Sequence, residues 1–286
     1  MKFLFSTGSL YTYSIARCFE LAAAAGFDGV ELMVDDRWDA RQPAHLHKLV
    51  DRFGLPVLAV HSPFSRPPGW PADEPGKIHF SVRLAENLGA PVVVHHLPVR
   101  VGYAFLVSQG RRFILPLPGI YVEGGYQSWL ADGYERLQAS TSVRLCIENM
   151  PARRVWGRRW NAYHWNTLPE LGRFPHLTMD TTHLATWGHD PLEAYARWNS
   201  RIGHVHLSNF DGREHRLPEA GVLALDQLLA RMAGDGYDDA ISLELHPDSA
   251  GAGLDDDAIV ARLARALDHC RTWAAAGLPV GVGREG

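Results

Sequence analysis

Short apolar runs alternate with longer amphipathic stretches along most of the chain. The runs are rich in valine, isoleucine and leucine, as in LPVLAVH (55–61) and APVVVHH (90–96). In the stretches that follow, such as GKIHFSVRLAENLG (76–89), the apolar residues recur with the spacing of a helix. Continuous apolar runs of this length are typical of strands buried on both faces of a parallel sheet. The pattern therefore predicts alternating strands and helices.

The alternation repeats eight times. The predicted strands span 2–6, 27–34, 55–61, 90–96, 143–149, 176–180, 202–208 and 240–246. The predicted helices that follow them span 13–26, 43–54, 76–89, 126–139, 167–173, 190–200, 223–234 and 255–277. Eight such units within 286 residues predict an α/β fold of the (β/α)8 TIM-barrel type. A doubly wound open sheet is the alternative, although no GxGxxG motif follows the first strand, which weakens its dinucleotide-binding form.

A single domain, residues 1–277, is expected to contain the whole barrel. The tail that follows, LPVGVGREG (278–286), is rich in glycine and is expected to be flexible. A long apolar insertion, 97–125, separates the fourth predicted strand from its helix. The sequence leaves open whether this insertion is a lid, a β-hairpin or an oligomer contact, so a homo-oligomer is one expected state.

Charge and cysteine content narrow the class of protein. The formal net charge is −4 and the pI is about 6.4, whereas nucleic-acid binders usually carry a basic excess. No apolar run reaches the length of a membrane span, and the N-terminal MKFLFS predicts a first strand rather than a signal peptide. The three cysteines, Cys18, Cys146 and Cys270, show no CxxC spacing and suit a reducing compartment. We expect a cytoplasmic protein that binds neither membranes nor nucleic acid.

Acids and histidines stand near the carboxyl ends of seven consecutive predicted strands, where a parallel barrel carries its active site. They are Glu31, His61, His95, His96, Glu148, Asp180, His206, Glu244 and His246, with His183 three residues after Asp180. Carboxylates crowded at one rim repel one another and raise one another's pKa. A divalent cation removes that repulsion. The sequence therefore predicts a metal site at this rim.

Three carboxylates and one imidazole form the core of the predicted metal site: Glu148, Asp180, His206 and Glu244. Because side chains alternate along a strand, His206 faces away from Val205, and Glu244 faces away from Leu243. An oxygen-rich set suits Mn²⁺, Mg²⁺ or Co²⁺, whereas histidine-rich sets suit Zn²⁺. His61 and His96 would add a second, more zinc-like position beside Glu148. His204 has the parity of His206 but lies deeper, as inner-layer support.

Seven motifs occur in a fixed order: GFDGVEL (26–32), VHSP (60–63), LGAPVVVHH (88–96), IENMP (147–151), MDTTHLA (179–185), HVHLSNFDGREHRLPEAG (204–221) and ISLELHP (241–247). With these motifs the chain resembles the xylose-isomerase-like TIM barrels over about residues 2–275. That superfamily includes sugar and sugar phosphate isomerases and epimerases, and also zinc apurinic endonucleases. The resemblance implies metal ligands at the four residues chosen above.

The resemblance also implies roles for further residues. His183 would contact the substrate or, with His215, a further metal, and His61 and His96 match histidines that hold another metal in the endonuclease branch. Two positions depart from the family pattern. Arg213 stands where the endonucleases carry a metal-binding aspartate, and Arg154 stands where well-known ketose epimerases carry a substrate-contacting glutamate.

The leading hypothesis is a divalent-metal-dependent isomerase or epimerase of a sugar, sugar phosphate or related polyol derivative, acting through a metal-stabilised enediolate. We expect Mn²⁺ or Zn²⁺, with Mg²⁺ and Co²⁺ as alternatives. Glu148 and Glu244 are the predicted proton carriers. The predicted substrate-binding residues are His183, Arg213, His61, His96, Trp156 and Trp187.

Three other functions stay open from the sequence. A phosphodiesterase of the zinc apurinic endonuclease type is supported by His61, His96 and Glu148 and by the basic, aromatic RRVWGRRW (153–160). The acidic balance of the chain and the positive charge of Arg213 count against it. A metal-dependent dehydratase would use the same site. A barrel that binds a ligand without turnover is the non-enzymatic alternative.

Overall fold

The computed structural model describes residues 1–108, 111–117 and 124–277. Its strands are β1 (Lys2–Ser6), β2 (Gly29–Met33), β3 (Val57–His61), β4 (Val92–His95), β5 (Gly102–Ser108), β6 (Arg111–Leu117), β7 (Arg144–Glu148), β8 (Arg153–Val155), β9 (Arg158–Trp160), β10 (Leu177–Asp180), β11 (Ile202–Leu207) and β12 (Ala240–Leu243). Its α-helices are α1 (Ile15–Ala25), α2 (Pro43–Phe53), α3 (Glu74–Leu88), α4 (Gly124–Ala139), α5 (Leu168–Leu171), α6 (Thr181–Trp187), α7 (Pro191–Trp198), α8 (Leu225–Gly234), α9 (Pro247–Ala250) and α10 (Asp256–Ala276). Short 3₁₀ helices span Thr7–Leu10, Trp38–Arg41 and Asn199–Arg201.

Eight of the strands form a closed parallel barrel in the order β1-β12-β11-β10-β7-β4-β3-β2. Closure occurs where β1 pairs with β12, in a register that runs from Lys2 opposite Ala240 to Phe5 opposite Leu243. The predicted (β/α)8 TIM barrel is therefore confirmed. Each predicted strand corresponds to one barrel strand, and the doubly wound alternative is wrong because the sheet has no open edge.

The insertion after the fourth barrel strand contains the antiparallel hairpin β5–β6, with Gly102 opposite Leu117. The sequence left open a lid, a β-hairpin or an oligomer contact, and the described backbone of the insertion forms a β-hairpin. A second, smaller hairpin, β8–β9, follows β7 in the basic, aromatic segment. The predicted flexible tail, 278–286, lies outside the described residues.

Two apolar clusters lie on opposite sides of the barrel wall. Phe3 and Phe5 belong to the large cluster between the strands and the helices, whereas Leu4, which alternates with them, belongs to a small cluster with Val92, Val94 and other interior residues. This alternation is the period of two that a strand requires. Polar residues take over the same inward positions toward the carboxyl ends of the strands, and they are fully buried: Ser6, Glu31, Thr178, His204, His206 and Ser242.

In the part of the chain that the structure describes, no helix combines the length and the hydropathy that crossing a bilayer would require.

Candidate metal centre

The four residues of the predicted metal site converge at the carboxyl end of the barrel. Each of them offers one ligand atom, and these atoms all lie within 4.8 Å of one another. His206 Nδ1 is 2.9 Å from Glu244 Oε2, 3.3 Å from Glu148 Oε1 and 3.9 Å from Asp180 Oδ2. Three of the residues are buried, and the side chain of Glu244 is 15% exposed. The cluster therefore borders the barrel mouth and is reached from solvent through Glu244.

Strand register explains why these residues meet. Asp180 is directly opposite His206 in the pairing of β10 with β11, and His206 is opposite Ser242 in the pairing of β11 with β12. Glu244 lies two residues beyond Ser242, so its side chain points to the same face of the sheet. Glu148 is the last residue of β7, the next neighbour of β10. Parallel strands thus bring their final inward residues to one end of the barrel.

Asp180 has a second role as the N-cap of α6. Its Oδ1 accepts hydrogen bonds from the backbone N–H of His183 at 2.7 Å and from the hydroxyl of Thr182 at 3.0 Å. Asn149 holds the same region, because its side-chain amide exchanges two hydrogen bonds with the backbone of Asp180. These bonds engage Oδ1 and orient the carboxylate so that Oδ2 faces His206 Nδ1 at 3.9 Å.

One oxygen of each carboxylate in the cluster is buried and has no hydrogen-bond donor among the described residues: Glu148 Oε2, Asp180 Oδ2 and Glu244 Oε2. A buried polar atom left without a partner costs about 1–3 kcal/mol, and more when it is charged. Three carboxylates and one imidazole are a donor set that hard or borderline divalent cations accept. The residues present therefore fit a divalent cation.

A second group of ligand atoms lies on the other side of Glu148. His96 Nε2 and His61 Nε2 are 3.0 and 3.4 Å from Glu148 Oε2, in neither case with hydrogen-bond geometry. The backbone carbonyl of Ser62, 2.8 Å from His61 Nδ1, accounts for the other nitrogen of that ring. The pair of histidines predicted for a more zinc-like position is thus placed together, and His95, by contrast, bonds to the hydroxyl of Tyr126.

A third group is formed by Asp180, His183 and His215. His183 Nδ1 is 2.8 Å from the carbonyl oxygen of Asn149, and the rings of His183 and His215 lie 5.6 Å apart, edge to face. His215 adopts φ 60°, in the left-handed region where few residues other than glycine are found. Its Nδ1 is 3.2 Å from the carbonyl oxygen of Glu244. The two histidines predicted for a further site therefore stand beside the main cluster.

Three predicted substrate-binding residues lie farther out. The side chain of Arg213 is 70% exposed, and its guanidinium forms an ion pair with Asp211 at 3.1 Å. Trp156 is 94% exposed at the turn between β8 and β9. The indole of Trp187 is half-buried and donates a hydrogen bond to the carbonyl oxygen of Met150. Their roles toward a substrate stay predictions.

Burial and neighbouring carboxylates shift the pKa of the clustered histidines in opposite directions. Burial lowers the pKa of His206, but the negative charges of Glu31, Glu244 and Glu148 outweigh it and hold the pKa well above its usual range. For His183, burial is likewise outweighed by Asp180 and Glu148, which raise the pKa to about 10. Without a cation, protons on these rings therefore neutralise the carboxylates.

The neighbouring histidines lower the pKa of two of the three carboxylates. Burial raises the pKa of Glu148, but the charge of His206 and the hydrogen bonds from His183 and His206 bring it well below the usual range. Burial also raises the pKa of Glu244, but the positive charge of His206 and its hydrogen bond outweigh burial and lower the pKa to about 2. Asp180 is the exception, since burial dominates and raises its pKa. Glu148 and Glu244 are thus ionised at neutral pH.

Two residues of the centre were not assigned roles from the sequence. Asn149 holds Asp180, and Glu31 accepts hydrogen bonds from His204 at 2.6 Å and from His206 at 3.0 Å through the same oxygen, Oε2. Glu31 carries the same signal as Glu148, an acid within an apolar strand, GVELM, that is buried throughout. Asn149 offers a weaker signal, its place directly after Glu148.

Residues 19–271 match the model of the protein family described as xylose isomerase-like TIM barrel. An uncharacterized protein of Mycobacterium tuberculosis H37Rv is 30% identical over 291 residues, which cover 93% of this chain and 95% of that protein. An uncharacterized protein of Mycobacterium leprae is 30% identical over 292 residues, covering 94% and 96%.

Solved structures share the fold over nearly the whole chain. A D-tagatose 3-epimerase-like protein superposes with a TM-score of 0.66 at 21% identity, covering 96% of this chain and 98% of that one. An L-ribulose 3-epimerase gives a TM-score of 0.63 at 18% identity, covering 100% and 99%. An AP endonuclease, family 2, from Brucella melitensis gives 0.60 at 14% identity, covering 87% and 96%. At these identities the similarity concerns the fold.

Proposed function

Because the chain belongs to the xylose isomerase-like TIM-barrel family, we propose that it is a divalent-metal-dependent isomerase or epimerase of a sugar, sugar phosphate or related polyol derivative. One observation carries the proposal. Three carboxylates, each with a buried oxygen that lacks a hydrogen-bond donor among the described residues, meet one imidazole nitrogen at the barrel mouth. Structures of the same fold include proteins named as sugar 3-epimerases, which supports this substrate class.

Glu148, Asp180, His206 and Glu244 would hold the cation. When bound, it would polarise a carbonyl oxygen of the substrate and lower the pKa of the adjacent C–H group. We expect Mn²⁺ or Zn²⁺ in this position, with Mg²⁺ or Co²⁺ as substitutes. Two pairs of histidines beside this site would bind a further metal or the hydroxyl groups of the substrate. They are His61 with His96, and His183 with His215.

Glu148 and Glu244 are the proposed proton carriers. In the barrel order, β10 and β11 stand between the strand of Glu148 and the strand of Glu244, so the two carboxylates approach the centre from different sides. The ionised carboxylate of one residue would take the proton from one face of the substrate and become protonated. The other would first take up a proton from solvent and then donate it to the opposite face. Both have a pKa far below neutral, so either residue has the ionised form that the base requires, and the residue that acts as the acid is protonated only transiently. General acid–base help of this kind is worth roughly 10²–10⁴ in rate.

A cavity beside the centre supports a small-molecule substrate. It has a volume of about 480 Å³ and is bordered by Glu244 and His215 on the metal side and by Tyr11, Met33 and Phe64 on the apolar side. Substrate cavities in proteins are commonly of this size and combine apolar walls with a few polar groups. A second cavity, of about 240 Å³, adjoins His96.

Exchange of substrate hydrogen with solvent tests the proposal. Wild-type protein loaded with Mn²⁺ or Zn²⁺ is incubated in D₂O with a panel of ketopentoses, ketohexoses and their phosphates, and deuterium incorporation is followed by NMR. We expect incorporation next to the carbonyl, and we expect Glu148→Gln and Glu244→Gln each to abolish it. Bound metal is measured in every variant, because both residues are also ligands.

Glu193→Gln is the matched control, since this exposed glutamate of α7 belongs to none of the groups of ligand atoms. Exchange at the wild-type rate in either glutamine variant would refute the proposed proton roles. Metal-loaded wild-type protein that exchanges no hydrogen into any substrate of the panel would contradict the proposed reaction.

The arrangement of His61, His96 and Glu148 favours a second candidate, a zinc-dependent phosphodiesterase of the apurinic endonuclease type. Incubation with abasic duplex DNA and Zn²⁺ distinguishes the two. We expect no cleavage. Efficient cleavage at low enzyme concentration would favour the phosphodiesterase over the isomerase or epimerase. A dehydratase acting at the same centre would reveal itself in the exchange assay by loss of water from the substrate.

A further inference from the structure

Glu31 lies beneath the metal centre, inside the barrel. It belongs to β2, whereas His204 and His206 belong to β11, and none of the three residues has any exposed surface. The hydroxyl of Ser6 donates a hydrogen bond to Glu31 Oε1 at 3.2 Å. Both histidines face the other oxygen, Oε2, at 2.6 Å from His204 Nε2 and 3.0 Å from His206 Nε2. The carboxylate is therefore bonded through both of its oxygens.

These distances describe hydrogen bonds rather than a second cation site. A cation that is bound about 2.0–2.2 Å from each ligand holds neighbouring ligand atoms about 3 Å apart or farther. The separation of 2.6 Å between Glu31 Oε2 and His204 Nε2 is too short for an ion to sit between them. In the cluster above, His206 Nδ1 is 2.9–3.9 Å from the three other carboxylates, which is the spacing of atoms around one ion.

The two nitrogens of His206 thus face opposite environments. An ionised carboxylate can only accept hydrogen bonds, so Nε2 of His206 carries a hydrogen and donates it to Glu31. Without a cation, Nδ1 carries a hydrogen as well, because it too faces ionised carboxylates. When a cation displaces that hydrogen, the lone pair of Nδ1 is directed toward the ion among Glu148, Asp180 and Glu244. This is the form in which a neutral imidazole binds a metal.

The geometry points to Glu31 as a positioning residue of the metal centre. It fixes the orientation and the Nε2–H form of His206, so that Nδ1 is available as a ligand. Carboxylates that hold a ligating histidine in this way increase the basicity of the ligand, and their loss typically weakens metal binding by about 10- to 100-fold. The inference rests on the proposed function, because it assumes a cation at the centre.

Metal affinity of the variant Glu31→Gln tests the inference directly. Affinity for Mn²⁺ and for Zn²⁺ is measured by competition with a chromophoric chelator. We expect binding about 10- to 100-fold weaker than in wild-type protein. Ser6→Ala is the matched control, since it removes a neutral hydrogen bond to the same carboxylate and leaves Oε2 in place. We expect its affinity to stay within about twofold of wild type, since one neutral hydrogen bond at the far oxygen has a modest net effect.

The hydrogen on His206 can be located in the wild-type protein itself, which does not depend on whether a variant folds. Nitrogen-15 NMR of the Zn²⁺-loaded protein should show Nε2 protonated and Nδ1 without a hydrogen. A hydrogen on Nδ1 would overturn the inference. A purely structural role would lower the unfolding temperature of Glu31→Gln without weakening metal binding, and that result would overturn it as well.

Metal binding by the wild-type protein separates failure of the proposed function from failure of the role of Glu31. Wild-type protein that binds neither cation would overturn the proposed function together with this inference. Wild-type protein that binds a cation tightly, with Glu31→Gln binding equally tightly, would overturn the inference alone.

Discussion

Asp180 Oδ1 accepts the backbone N–H of His183 at 2.7 Å, while Oδ2 of the same carboxylate has no hydrogen-bond donor in residues 1–108, 111–117 and 124–277. One side chain thus caps the start of a helix and faces the candidate metal centre at the same time. The two roles use different oxygens, so a substitution can remove one role and keep the other.

Asp180→Asn is expected to weaken metal binding at least about tenfold, because loss of even a residue that only supports a ligand costs about that much. It should not destabilise the cation-free protein. Asparagine caps a helix about as well as aspartate. Since burial raises the pKa of Asp180, removing its charge also relieves an unfavourable burial. Asp180→Ala should lose the cap as well, at a further cost of about 1 kcal/mol. Urea unfolding and chelator competition on both variants check this, and equal stabilities for the two variants would contradict it.

Removal of the cation is expected to lower the unfolding temperature. A ligand at 100 times its Kd stabilises the native state by about 2.7 kcal/mol, which corresponds to about 5–10 °C for a protein of this size. Calorimetry after dialysis against a chelator, and again after Mn²⁺ is returned, measures the difference. No change in either direction would count against a bound cation.

Metal affinity is expected to rise with pH from about 6.5 upward. The pKa of His206 lies well above its usual range and that of His183 is about 10, so a cation must displace protons from the centre. Titration calorimetry in buffers of different ionisation enthalpy should detect the released protons. An affinity that stays flat between pH 6.5 and 9 would contradict this.

The stability of the cation-free protein should depend on pH in the opposite sense. Protonated histidines whose pKa is raised by folding stabilise the protein fully below their unfolded pKa, and this stability is lost as pH rises through the folded pKa, about 10 for His183. Glu244, with a folded pKa of about 2, stabilises above its unfolded pKa, and its contribution is lost as pH falls toward 2. Urea midpoints of the cation-free protein should therefore decline from pH 6.5 toward 10.

Two tryptophans provide a test of packing that is separate from the metal centre. Trp198 is 2% exposed, and its indole donates a hydrogen bond to the carbonyl oxygen of Leu168, so Trp198→Ala should cost about 3–5 kcal/mol. Trp156 is 94% exposed, and Trp156→Ala should change stability by less than about 0.5 kcal/mol. Denaturant unfolding measures both, and similar losses would contradict the described packing.

The barrel strands and the four clustered residues could be predicted because both follow from short periodicities. Alternation along a strand fixes the direction of His206 and Glu244, and the end of each strand fixes their height in the barrel. Contacts across the barrel have no such signature. Glu31 and His206 are 175 positions apart, and nothing between them specifies that their side chains meet.

Short irregular elements could not be predicted from the periodicity of the sequence either. The hairpin β8–β9 contains three residues per strand, Arg153–Val155 and Arg158–Trp160, too few to show an alternation. The helix α6 begins directly after β10, so the signal of its cap, Asp180, coincides with the end of a strand. Residues 176–180 were predicted as a strand, and the helix that begins at Thr181 was not predicted.

The position of Glu244, directly after β12, has a consequence for the order of events during biosynthesis. Because β12 is the last barrel strand to be made, the full set of candidate ligand atoms exists only after β12 has paired with β11. A ribosome-bound precursor that ends before β12 would hold only three of the four candidate ligands. Tight retention of a cation is therefore expected only after the last barrel strand has been added.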